Sequence, residues 1–315
     1  MNLAPRIIHA VVALFLVVPF SGSTALAAAL DVPPEAKQGL EKLYSGDPGA
    51  AIELFRAIQK SQPDQPLGYL LEADARWWKM YCAASEVKWG MVDAWKRGKG
   101  PGDDEYLALA SRGIALAEMQ LQSSETAEMH FYAGLGYALQ ARLFGLRDEK
   151  RAAARVGVKA RSHFLRATQL DPNLADAYTG LGLYNYYVDT LSPIIKMLRF
   201  FMGIPGGNKN EGIRQLETAM NHGVLTAVEA RFYLAKNFRT YDREYARGEA
   251  LMAPLVRDYP KNGAFLLLLG NLNAELGRKE KATTYFRAAE NLSFADPACE
   301  ARVRAIAAAF LGSAH

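Results

Sequence analysis

Ala160-Arg-Ser-His-Phe-Leu-Arg-Ala-Thr-Gln-Leu-Asp-Pro172, running on into Ala177-Tyr-Thr-Gly-Leu-Gly182, is the stretch that decides the fold. Ala160, Phe164 and Ala167 recur at four and three, the spacing that puts side chains on one helical face. Pro172 cannot continue that helix, and Tyr178, Leu181 and Gly182 begin the face of the next one. Working outward, the same order returns near the C-terminus as Leu269-Gly270, then Ala282, Phe286 and Ala289. Gly270 and Ala282 lie twelve positions apart, as do Gly39 and Ala51, after which Phe55, Ile58 and Pro63 follow. Leu40, Leu43 and Tyr44 share a face before Gly39's helix stops, and Ser45-Gly46-Asp47-Pro48 both ends it and starts another.

This order of residues resembles the tetratricopeptide repeat, whose unit sets a large residue, Leu-Gly, a small residue, an aromatic, Ala and Pro in sequence. The resemblance implies an all-α, irregular helical-hairpin solenoid wound as a right-handed superhelix. Small residues let two antiparallel helices approach, the aromatic fills the hole between them, and the proline turns into the next pair. Residues 35–65, 160–190 and 262–292 match best. Leu135-Gly136, with Tyr132 before it, is a further first-helix match, yet Ala160 follows Gly136 by 24 positions. Residues 66–160 and 191–212 therefore call for longer helices or insertions. The second of these, Leu191-Ser-Pro-Ile-Ile-Lys through Asn210-Glu-Gly212, is similar over a short span to the tetratricopeptide repeat 39 family, which implies interaction rather than a defined chemistry. Strand signals are almost absent, with no Asn-Gly or Asp-Gly turn between alternating apolar runs.

Half of the 315 residues are apolar and 22% are charged, the proportions of a folded globular chain. The 37 Lys and Arg against 33 Asp and Glu leave a formal charge of +4, too mild to argue for a nucleic-acid partner. Residues 1–28 read as a secretory signal: Arg6, an apolar run from Val11 to Phe20, and Ala25-Leu26-Ala27 as a peptidase site. Residues 29–315 form the solenoid, expected in the periplasm or secreted. Export would put Cys82 and Cys299 in an oxidising space where thiols can pair. Separated by 217 positions, they are read here as buried small hydrophobes.

Catalytic signatures are missing. His9, His130, His163, His222 and His315 include no pair at four and no His-Glu-x-x-His run. Gly203-Ile-Pro-Gly-Gly-Asn-Lys209 lacks the Gly-Lys-Ser/Thr of a phosphate loop and reads as a helix connection capped by Asn208 or Asn210. No enzyme activity, metal or cofactor is therefore expected, and the function class is a protein–protein interaction scaffold or adaptor. Arg147, Arg151, Arg155 and Lys159 step by four within a basic segment from Arg142 to Arg166, which suits an acidic protein or peptide. Tyr178, Tyr184 and Asn185 would line the concave groove formed by first helices. The alternative is a small-ligand or glycan module built on Trp77, Trp78 and Tyr81, part of a cluster extending to Trp89 and Trp95. Ile194 to Met202 is apolar with Lys196 and Arg199, long enough to lie on a membrane surface and too short to span it.

Overall fold

The structure is a computed structural model that describes residues 30, 32–88, 91–94, 98–201 and 203–312. Residues 1–28, expected to be a signal, and Trp89, Trp95 and His315 lie outside the described residues. Among the described residues six helical hairpins follow one another and a single helix comes after them. They are α1 (Pro34–Tyr44) with α2 (Pro48–Ser61), α3 (Leu67–Ala84) with α4 (Asp103–Ser123), and α5 (Ala127–Leu146) with α6 (Lys150–Leu170). Next come α7 (Ala177–Thr190) with α9 (Lys209–His222), α10 (Ala227–Asn237) with α11 (Tyr245–Asp258), and α12 (Gly263–Glu275) with α13 (Lys279–Glu290). Helix α8 (Pro193–Phe201) is inserted between α7 and α9, a π-helical turn (Phe238–Asp242) follows α10, and α14 (Pro297–Gly312) closes the chain.

The chain is a tetratricopeptide-like stack because its glycines and phenylalanines pack as that repeat requires. A Cβ on Gly39 would lie 2.2 Å from the Phe55 ring, and one on Gly270 would lie 2.8 Å from Phe286. Phe164 serves two first helices: a Cβ on Gly134 would meet it at 2.8 Å and one on Gly180 at 1.9 Å. Phe164 is 2% exposed, so the ring has nowhere to retreat. Gly180→Ala is therefore expected to lower stability by about 1–3 kcal/mol through overpacking. Equal thermal midpoints for wild type and variant would show that the ring moves freely and that the close approach is not needed.

The 24-position gap after Gly136 is met by longer helices, 20 residues in α5 and 21 in α6. Asn208 caps α9, its Oδ1 accepting from Glu211 N at 3.0 Å. Two expectations are corrected. Ser85–Lys88 (β1) and Met91–Ala94 (β2) form an antiparallel hairpin with Val87 opposite Val92, inserted between α3 and α4. The signal was there in Ser-Glu-Val-Lys-Trp-Gly-Met-Val-Asp-Ala, an alternating run around a two-residue X-Gly centre other than Asn-Gly. Cys82 and Cys299 are not free buried thiols; they form a disulfide with Cα atoms 5.2 Å apart.

That bridge belongs to a larger closure. Helix α3 is buried nearly all round, with 13 of its 18 residues buried against three of the 21 in α6. Helix α3 is the axis. Trp78 packs on Phe232 of α10 and Phe265 of α12, Trp77 Nε1 donates to Tyr233 Oη at 3.0 Å, and α14 lies against it under the disulfide. The first hairpin meets the last ones where Asn262 Nδ2 donates to the Tyr44 carbonyl at 3.0 Å. Gly46, at φ +88°, lies so close to the Lys261 carbonyl that a Cβ would stand 2.6 Å from it. The stack therefore curls until its inner face is filled: a main apolar core runs from Leu30 to Ala307, and a smaller one of Leu216, Ala219, Ala230, Leu234 and Phe238 lies between α9 and α10.

Candidate functional site

The filled interior corrects the expectation of an open concave groove. Trp77, Trp78 and Tyr81 are 6%, 7% and 5% exposed, so their faces stack on the chain itself and offer no platform to a glycan. The space beside Trp78, Cys82 and Cys299 is a cavity of about 50 Å³, room for a water or two. Tyr178, Tyr184 and Asn185 are half-buried and engaged: Tyr178 Oη donates to the Pro172 carbonyl at 3.0 Å and Tyr184 Oη to the Pro205 carbonyl at 2.9 Å. Asn185 Nδ2 donates to Gln215 Oε1 at 2.8 Å. The segment between α7 and α9 lies over that side of α7, with Gly207 against the Asn185 carbonyl, and takes up the contacts a partner would have used. An insertion of this kind cannot be placed from spacing alone, because nothing in its composition says which way it folds back.

The basic segment divides sharply. Arg142 is drawn inward: Nη1 donates to Asp74 Oδ1 at 3.0 Å and to Glu229 Oε1 at 2.8 Å, and Nη2 to Glu229 Oε2 at 2.7 Å. Arg147 is not on α6 at all. It caps α5, is 8% exposed, and forks onto Asp103 at 2.8 and 2.6 Å, so it leaves the row of four. Lys150 pairs with Asp148 at 3.3 Å, Arg161 lies over the Tyr184 ring at 5.4 Å, and Arg166 forks onto Glu125 with two bonds of 2.7 Å. Arg151, Arg155 and Lys159 remain exposed on one line of α6. Arg151 and Arg155 have no ion-pair partner among the described residues, and Lys159 sits 5.0 Å above the Tyr137 ring.

One step further along the same line, at His163, the face changes character. His163 Nδ1 is 3.0 Å from Nδ1 of His130 on α5, a pairing across 33 positions that no local spacing could reveal. Tyr137 stacks on the His163 ring at 5.7 Å and donates its hydroxyl to Glu118 Oε1 at 2.8 Å. Glu125 Oε1 lies 3.1 Å from His130 Nε2, and Glu118 Oε1 lies 3.9 Å from His163 Nε2. The Arg166 fork, then the His130 bond, holds the Glu125 carboxyl down at about 2. Burial, then the neighbouring His130, keeps the His163 imidazole below its ordinary value. Among the described residues no group of three or more His, Cys, Asp or Glu converges as a metal cage.

Helix α8 carries Lys196 and Arg199 as expected, but both are tied back, to Asp189 Oδ1 at 3.0 Å and the Ile204 carbonyl at 2.9 Å. Among the described residues no helix is long and apolar enough to cross a membrane.

No protein-family model matches the chain. No curated protein sequence matches it either. Among solved structures it is similar to the C-terminal part of a TPR repeat-containing protein from Cytophaga hutchinsonii, at 14% identity over 81% of this chain and 77% of that one, TM-score 0.36. A monomeric IFIT1 mutant with m7Gppp-AAAA gives 13% identity over 82% of this chain and 62% of that one, TM-score 0.38. Yeast Tom70 gives 11% identity over 88% of both chains, TM-score 0.29. These overlaps are loose, and the repeat character stands on the glycine–phenylalanine packing of the chain itself.

Proposed function

We propose that the chain is a non-enzymatic scaffold of the cell envelope that holds an acidic protein or peptide segment along the outer face of α6. The observation that carries this is the pair Arg151 and Arg155, exposed and without an ion pair among the described residues, while Arg142, Arg147, Lys150 and Arg166 beside them are each paired. Like charges four apart on a helix repel by a few tenths of a kcal/mol, so the row gains nothing from its own helix. An acidic partner would relieve that repulsion and be steered in by it. Placement in the envelope is supported by the Cys82–Cys299 bridge, which suits an oxidising compartment.

The test is cross-linked co-purification from the exported fraction, followed by binding kinetics on the captured partner. Arg151→Glu with Arg155→Glu is expected to slow association by roughly tenfold at low salt and to flatten its salt dependence. Both residues are exposed, so the fold should not change. Capture and salt slope equal to wild type would remove α6 as the docking face.

A further inference from the structure

The two histidines at the end of the α6 row pose a separate question. Both Glu125 oxygens accept from the Arg166 fork, so the carboxyl faces His130 Nε2 as an acceptor; the His130 proton then sits on Nε2 and its Nδ1 presents a lone pair. The His163 Nε2 in turn faces Glu118, whose Oε1 lies 3.9 Å away. If His163 also carries its proton on Nε2, two Nδ1 lone pairs converge at 3.0 Å, an arrangement that needs a cation between them. Without an added cation, a proton on His163 Nδ1 fills that role, at the cost of turning a bare Nε2 toward the Glu118 carboxylate. A metal ion lets both imidazoles ligate through Nδ1, with the His130 Nε2–H on Glu125 at 3.1 Å and the His163 Nε2–H turned toward the Glu118 charge 3.9 Å away. That carboxylate–histidine relation is the usual support behind metal-ligating imidazoles.

We propose that His130 and His163 form an open two-nitrogen chelate for a late first-row divalent metal ion, backed by Glu125 and Glu118. At ordinary metal–nitrogen lengths of about 2.0–2.1 Å, nitrogens 3.0 Å apart subtend about 90–97° at the ion. That is a cis angle of tetragonal geometry, which favours Cu²⁺ or Ni²⁺ over tetrahedral Zn²⁺. The ring planes are tilted by 43°, and each ring must swing to aim its lone pair off the N···N line toward the ion. The site is reachable yet braced. The side chains are 14% and 19% exposed, Tyr137 is stacked on one ring, and Arg166 fixes the carboxylate behind the other. With two protein ligands the remaining positions go to solvent or to a partner's donor, so micromolar rather than structural affinity is expected.

Cu²⁺ alone is the probe, titrated into the full chain carrying His222→Ala, which removes an exposed competing imidazole. Binding is followed by calorimetry and by the nitrogen hyperfine pattern in electron paramagnetic resonance. One saturable equivalent with two imidazole nitrogens is expected. His130→Ala and His163→Ala should each weaken it by at least about tenfold, and Glu118→Gln or Glu125→Gln should do so less severely. Circular dichroism confirms that each variant folds. Binding that survives either histidine substitution within twofold, or the absence of saturable binding, would overturn the chelate and leave a proton-bridged pair.

Discussion

Replacing Arg142 with alanine is expected to lower the unfolding free energy by about 3–5 kcal/mol, because it strands two carboxylates inside the protein. Asp74 and Glu229 are 6% and 2% exposed, and the guanidinium gives three bonds of 2.7–3.0 Å to them. Alanine removes the three donors that those oxygens use. The arrangement is short of positive charge even in the native chain. Burial, then the neighbouring Glu229 charge, holds the Asp74 carboxyl well above the ordinary carboxylate range. A raised acid binds its proton more tightly folded than unfolded, so its contribution is fully present below its unfolded value near 4 and is lost as pH rises through the folded one. Removing Arg142 takes away a positive charge that opposed this shift. The thermal midpoint of R142A should therefore fall further behind wild type as pH rises from about 4 to 8. A gap that stays constant with pH would show that the carboxylates are not what the arginine compensates. A triple variant, Arg142→Met with Asp74→Leu and Glu229→Met, should recover much of the loss, since replacing a whole buried ion cluster by apolar residues of similar volume is often neutral.

The same arginine shows what local sequence pattern carries and what it does not. Periodicity gave the hairpins because each second helix buries one stripe: Ala160, Phe164 and Ala167 are the three buried residues of α6. First helices gave weaker stripes because they are packed from several sides, as α3 shows with buried Glu72 and Asp74 among its apolar residues. A helix buried all round has no polar face to mark its orientation, so the curl of the stack left no trace in local spacing. The basic run divides along the same line. Arg142 and Arg147 look identical to Arg151 and Arg155 in a charge run, and only the positions of Asp74, Asp103 and Glu229 separate them. These lie 68, 44 and 87 positions away from their arginines. Tyr184 and Asn185 were read as groove residues from the ordinary repeat, and the inserted segment after α7 altered their surroundings. His130 and His163 have no partner histidine within one helical turn in sequence. Each is half-buried on a helix that also faces the other, and that pairing requires the α5–α6 hairpin to be built first.

Removing the Cys82–Cys299 bridge should be the largest single loss of stability. The bridge spans 217 positions, most of the described chain, so its absence frees the unfolded ensemble more than any local change does. Chain-entropy reasoning puts the effect of so long a loop at about 5 kcal/mol, the upper end of what disulfides contribute. For a chain of this size that corresponds to a fall in thermal midpoint of roughly 10 °C. Repeat stacks normally lose stability gradually, since each unit contacts only its neighbours. Here α3 contacts α10, α12 and α14, so the bridge ties together units that a linear stack would keep apart. Cys82→Ser with Cys299→Ser is therefore expected to do more than shift the midpoint. It should broaden a single cooperative transition and expand the molecule in small-angle scattering under mildly denaturing conditions, as the last hairpins leave α3. A variant that unfolds at the wild-type midpoint with undiminished sharpness would mean that Trp77, Trp78 and the Arg142 cluster close the ring unaided. If so, the disulfide would be a consequence of closure and not its clamp.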